Sequence, residues 1–95
     1  MKIPISGFEY VKEDSGCTAV IVCKICGERI NNKEHQGMVF WNIEKPDQEA
    51  VIAHKECMAK IKNNRSDYPS SEELSHYFYY VLYNSKIEPK EPRFE

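Results

Sequence analysis

Two short patterns constrain this chain more than anything else in it: Cys23-Lys24-Ile25-Cys26 and, beyond the interval 27–53, His54-Lys55-Glu56-Cys57. Three thiols and an imidazole are a donor set suited to zinc, which prefers sulfur and nitrogen in a tetrahedral shell. A Cys-x₂-Cys turn aims two sulfurs at one centre. A His-x₂-Cys pair does the same from the first turn of a helix, where positions i and i+3 are neighbours. Four protein donors fill the shell, so the pattern predicts one structural Zn²⁺ held by Cys23, Cys26, His54 and Cys57, with no open position for substrate.

The competing reading makes Cys23 and Cys26 a redox pair and leaves His54 and Cys57 as ordinary residues. Such a pair belongs at a strand-to-helix junction in a larger α/β domain. Gly27 and the polar stretch 31–37 fit that setting poorly. Iron in a rubredoxin-like site is the other alternative, and mixed sulfur and nitrogen donors favour zinc over it.

A metal staple also suits the size of the chain. Its 95 residues are 41% apolar and 29% charged, a globular composition with a modest core, and such small domains often draw stability from metal, disulfides or a partner. Formal net charge is −2, from 13 Lys and Arg against 15 Asp and Glu. Overall basicity of the kind that draws a protein to nucleic acid or anionic lipid is therefore absent. Neither a signal-peptide pattern nor an apolar run long enough to span a bilayer is present. The expected setting is the cytoplasm, without membrane association, where zinc thiolates persist and stable disulfides are rare.

Local patterns predict an α+β domain. Residues 8–14 and 17–25 read as two extended segments around a turn at Asp14-Ser15-Gly16, the second rich in β-branched residues. Gly27 fits a tight turn where a side chain would crowd the backbone near the sulfurs. A hairpin follows, with Met38–Ile43 and Glu49–Ala53 joined across 44–47. Met38, Phe40 and Asn42 share one face, and Val39, Trp41 and Ile43 the other.

From His54 to about Asn63 the spacing predicts a helix whose inner face is His54, Cys57, Met58 and Ile61. Asn63–Pro69 reads as a linker. Ser70 or Ser71 then caps a second helix, with Glu72 and Glu73 in its first turn. That helix runs to about Tyr83 or Asn84, with Leu74, Tyr77, Phe78, Val81 and Leu82 inward. The organisation expected is an N-terminal extended segment (1–16), a zinc core (17–63), a linker and aromatic helix (64–84) and a flexible tail (85–95).

The order of knuckle, hairpin and ligand-bearing helix over residues 20–63 resembles treble-clef zinc domains. The ligand order Cys-x₂-Cys…His-x₂-Cys is similar to the first zinc module of LIM domains and to the poly(ADP-ribose) polymerase-type zinc finger. The resemblance implies a treble-clef core with an added C-terminal helix. It implies no single function, since such domains bind proteins, DNA, RNA or only their own chain. Residues 64–95 lack the cysteines of a second LIM module. The acidic balance of the chain departs from a DNA-end finger, and His35 and His76 do not stand in a His-Asn-His nuclease motif.

Outside the metal set, Cys17 reads as small buried filler. Lys24 and Lys55 flank the ligands, and Phe40 and Trp41 read as packing residues. Arg29, Lys33 and His35 lie in and beside the polar loop, their positive charge diluted by Glu28 and Glu34. The run His76-Tyr77-Phe78-Tyr79-Tyr80-Val81-Leu82-Tyr83 surrounds a helix with apolar and aromatic groups. One face satisfies the local core, which leaves Tyr79, Tyr80 and Tyr83 for self-association or another protein.

Nucleophile motifs, phosphate loops and dinucleotide fingerprints are absent, and no catalytic role is expected. The sequence thus points to a zinc-stabilised protein-interaction or regulatory adaptor module. The alternative is a nucleic-acid-binding accessory protein using Lys55, Lys60, Lys62 and Arg65 on the exposed face of the 54–63 helix.

Overall fold

The computed structural model describes residues 3, 5–14 and 16–90, with the backbone alone for Glu13. The last part of the expected tail, 91–95, and Ser15 of the first turn lie outside the described residues. The chain forms β1 (Ile5–Ser6), β2 (Phe8–Glu13), β3 (Gly16–Ile21), β4 (Gly37–Trp41), β5 (Ala50–His54), α1 (Lys55–Ala59), α2 (Asn64–Asp67), β6 (Ser70–Glu73) and α3 (Leu74–Ser85). This is a small α+β domain.

The centre is the β4–β5 hairpin, paired antiparallel from Gly37 opposite His54 to Phe40 opposite Val51. β1 adds in parallel beyond β5, and β6 adds antiparallel beyond β4, giving the order β1-β5-β4-β6. Alternation along the two central strands makes both faces apolar, as the sequence predicts. On one face Phe40, Val51 and Ala53 pack with Cys23 and Met58. On the other Val39, Ala50 and Ile52 pack with Leu74, and half-buried Tyr77 and Phe78 close over them. Phe40 and Trp41 are packing residues here, Phe40 buried and Trp41 half-buried.

Asn42 organises the hairpin turn. Its side-chain oxygen accepts from the Glu44 amide at 3.0 Å, and its carbonyl accepts from Lys45 at 3.1 Å. Its amide nitrogen donates to the Asp67 carbonyl at 3.2 Å, and Gln48 Nε2 donates to the same oxygen at 2.8 Å. A buried asparagine with satisfied donors and acceptor thus ties the turn to α2.

β2 and β3 form a separate two-stranded ribbon, from Phe8 opposite Ile21 to Glu13 opposite Gly16. Cys17 sits on this ribbon across from Lys12 and is exposed. This corrects its expected burial: Cys17 lies near the turn end of the ribbon, away from the end where Ile21 packs into the core, and among the described residues no element covers it.

Two further expectations are corrected. The helix expected over 54–63 is only α1, Lys55–Ala59. The Lys60 and Ile61 amides fall back to carbonyls three residues earlier, Cys57 and Met58. Asn63 then adopts a left-handed φ of 62°, and the Asn64 side-chain amide donates to the Met58 carbonyl at 2.8 Å. These bonds satisfy the helix end and stop it. Ile61 is left 39% exposed instead of inward, and the expected linker contains α2.

Ser70, Ser71, Glu72 and Glu73 do not open a helix either. They are β6, paired with Trp41, Phe40, Val39 and Met38. The free edge of β4 offers this segment main-chain partners, and that long-range pairing overrides the local capping signal. α3 starts at Leu74 and has no side-chain cap. Leu74, Tyr77, Phe78 and Leu82 turn inward to differing degrees, whereas Val81 is 40% exposed.

Gly37 stands where β4 meets both the loop before it and α3. A Cβ there would lie 2.6 Å from Ile30 Cγ2 and 2.7 Å from Leu74 Cδ1. Both neighbours sit in packed surroundings, so overpacking decides the outcome. Gly37→Ala is expected to destabilise the fold by about 1–3 kcal/mol, read as a lower urea midpoint with unchanged slope.

Candidate metal centre

Three local elements deliver the four predicted donors: one tight loop carries Cys23 and Cys26, the end of β5 carries His54, and α1 carries Cys57. Cys23 follows the ribbon, where an antiparallel bridge between Val22 and Arg29 closes a tight loop. Inside it, the Cys23 amide donates to the Glu28 carbonyl and the Gly27 amide to the Cys23 carbonyl, each at 2.9 Å. Gly27 has φ +78° and nothing within 4 Å of a would-be Cβ. Backbone conformation, not crowding near the sulfurs, is therefore what requires glycine there.

The loop is fixed to the hairpin by the Lys24 amide, which donates to the Ile52 carbonyl at 2.9 Å. From the other side, β5 delivers His54 at its last position, and one turn of α1 brings in Cys57. The Lys55 amide donates to the Gln36 carbonyl at 2.9 Å, holding the strand-to-helix junction against the polar loop.

The ligand atoms of Cys23, Cys26, His54 and Cys57 all lie within 4.8 Å of one another. His54 Nδ1 is the nitrogen that faces the sulfurs, 3.4 Å from Cys26 Sγ and 3.7 Å from Cys57 Sγ. Main-chain amides also point at sulfur: His54 N–H at Cys23 Sγ and Glu28 N–H at Cys26 Sγ, both 3.4 Å. Cys23 and His54 are buried, Cys57 is half-buried and Cys26 is exposed.

The thiols do not ionise alike. Burial pushes Cys23 up, but the amides of Cys26, His54 and Ile25 and the Cys26 side chain outweigh it and bring the thiol down to about 6. Cys57 goes to about 11, raised by burial and by hydrogen bonding and charge from Cys23 and Cys26. Sulfurs this close oppose one another's ionisation. A divalent cation among them removes that opposition, so the donor set fits a metal ion both in chemistry and in position.

His35 is the neighbour that sequence reasoning did not connect to the centre. Its ring stands edge-on to His54 with centroids 5.8 Å apart, and its Nδ1 lies 3.8 Å from a Glu56 carboxylate oxygen. It lines a polar cleft of about 340 Å³ with Arg29, Glu34, Glu56 and Lys60, beside Cys26 and Cys57. No spacing rule links position 35 to the ligands; the folded-back loop 31–36 puts it there. Lys24, Lys33 and Lys55 are exposed.

The aromatic rings of the run divide as expected, whereas Val81 does not turn inward. Tyr77 and Phe78 meet the core, and Phe78 also contacts Phe8 edge-on at 6.1 Å. Tyr79, Tyr80 and Tyr83 are 62%, 51% and 70% exposed, with Tyr79 and Tyr83 stacked at 6.1 Å and 13° between planes. No helix among the described residues is long and apolar enough to cross a membrane.

The chain matches no protein-family model, no curated protein and no solved structure.

The role of Gly27 generates a prediction. Gly27→Ala keeps all four donors but strains the loop by about 1–2 kcal/mol, and metal is expected to pass more readily to a competing chelator. Gly27→Asn, which tolerates the left-handed conformation better, should retain metal more firmly than the alanine variant.

Proposed function

We propose that Cys23, Cys26, His54 and Cys57 hold one structural Zn²⁺ in a treble-clef arrangement, and that the protein is a zinc-stabilised interaction module. The observation that carries this reading is the convergence of four donors from the two ends of a long sequence interval. The donor set is closed, and a filled shell supplies folding free energy rather than a site for substrate.

The succession of tight cysteine loop, β4–β5 hairpin and α1 supports the treble-clef reading. α1 has only five residues, far fewer than a helix needs to persist alone in water. Metal bonds through His54 at its N-cap and Cys57 at its middle would hold it in place.

The exposed Tyr79, Tyr80 and Tyr83 on α3 support an interaction role, by self-association or with another protein. Large rings with polar hydroxyls suit a surface that is buried in a complex and wet outside it. The nucleic-acid reading has weaker support. α1 ends at Ala59, so Lys60, Lys62 and Arg65 lie beyond the helix face on which that reading relied.

Native mass spectrometry of protein purified anaerobically with metal present is expected to give one zinc per chain. Cobalt substitution should give the absorption of a tetrahedral sulfur-rich site. Cys57→Ser should release the metal and lower the melting temperature, and acidification should weaken binding because protons compete for the same donors. Metal-free protein two hydrogens lighter than its reduced mass would overturn the reading.

Self-association is tested separately by sedimentation over a concentration series. Tyr80→Ser combined with Tyr83→Ser should weaken it about tenfold or more, as expected for loss of aromatic anchors.

A further inference from the structure

On the sheet face that carries Phe40, a second cleft opens between α1 and α2, away from the sulfurs. It has a volume of about 440 Å³. Phe40 and Met58 form its buried floor, with Ala59, Tyr68 and Pro69 around them, and Lys55 and Arg65 also line it. Its lining contains no carboxylate, whereas the polar cleft on the other side of α1 mixes Glu28, Glu34 and Glu56 with Arg29 and Lys60. Among the described residues, neither the Lys55 nor the Arg65 side chain has an ion pair or hydrogen bond. Two uncompensated cations therefore flank an apolar hollow in a protein whose net charge is −2.

We propose that this cleft is a docking site for an acidic peptide segment, with one aliphatic or aromatic side chain seated on Phe40 and Met58 and flanking carboxylates at Lys55 and Arg65. Charge complementarity selects the occupant. The shape favours peptide over nucleic acid: a single hollow takes one side chain, whereas single strands need a cationic groove that tracks several phosphates. The nearby cations do not form such a groove, because Lys60 lines the cleft on the opposite side of α1. Lys55 lies between His54 and Cys57 in the sequence, so the cleft and the metal centre share α1 as a wall.

The proposal extends the interaction-module reading to a surface distinct from the tyrosines of α3. Its test uses the full chain loaded with zinc and a fluorescein-labelled peptide in which one leucine is flanked by glutamates. Fluorescence anisotropy should show saturable binding that weakens with added salt and is lost when glutamine replaces glutamate. Reversing both cations, Lys55→Glu with Arg65→Glu, is expected to weaken binding about tenfold or more. Ala59→Phe, which fills the hollow without altering charge, should also abolish it.

Lys33→Glu, away from the cleft, should leave binding unchanged. Metal content and circular dichroism are read on every variant, so unfolding is separated from lost contact. No binding by folded, zinc-loaded protein would overturn this proposal alone and leave the metal reading standing. Binding that survives Ala59→Phe and the double reversal would also overturn it, as would tighter binding of a single-stranded oligonucleotide that displaces the peptide.

Discussion

The arrangement turns on electrostatics within a few ångströms. Three sulfurs and one imidazole nitrogen converge inside 4.8 Å, and each negative sulfur makes the next harder to ionise. Amides from Ile25, Cys26 and His54 relieve Cys23, but no comparable set of donors relieves Cys57. A cation among them would remove this repulsion. The cysteine loop meets the end of β5 and the start of α1 through the Lys24 amide on the Ile52 carbonyl and through Cys23 and Met58, which share one buried cluster.

The hairpin transmits that local convergence to the rest of the molecule. β5 is buried from Ala50 to His54, so the strand that delivers His54 is also the centre of both apolar clusters. Ile52 shows the connection at one residue: its side chain packs against Leu74 and its neighbours, while its carbonyl receives the Lys24 amide of the cysteine loop. Gly7 passes so close that a Cβ would sit 3.0 Å from Ile52 Cβ. Ribbon, sheet and metal centre therefore meet around one residue whose own chemistry is purely apolar.

What the sequence made legible was whatever depends on short-range periodicity or fixed ligand spacing. The cysteine–histidine set, the β4–β5 faces, the ribbon and the aromatic helix all carry such signals. The failures share a cause in contacts between distant positions. Ser70-Ser71-Glu72-Glu73 reads as a helix start until the vacant edge of β4 is known. The apparent face through Ile61 continues the helical period, yet Asn63 and Asn64 end the helix through backbone conformation and a side-chain bond. Cys17 is exposed because no element among the described residues covers it, which no local pattern could reveal. His35 reaches the metal centre only because the loop folds back against β5 and α1.

The pairing of β6 has a further consequence for how molecules of this protein meet. A sheet margin with unpaired amides and carbonyls invites another strand to add to it. Here one margin is β1, only two residues long, and the other is the serine–glutamate segment β6. Brevity at one border and negative charge at the other discourage growth of the sheet from copy to copy. Any association between copies would then fall to side-chain surfaces on the helices, where it could stop at a defined number of subunits instead of extending into fibres.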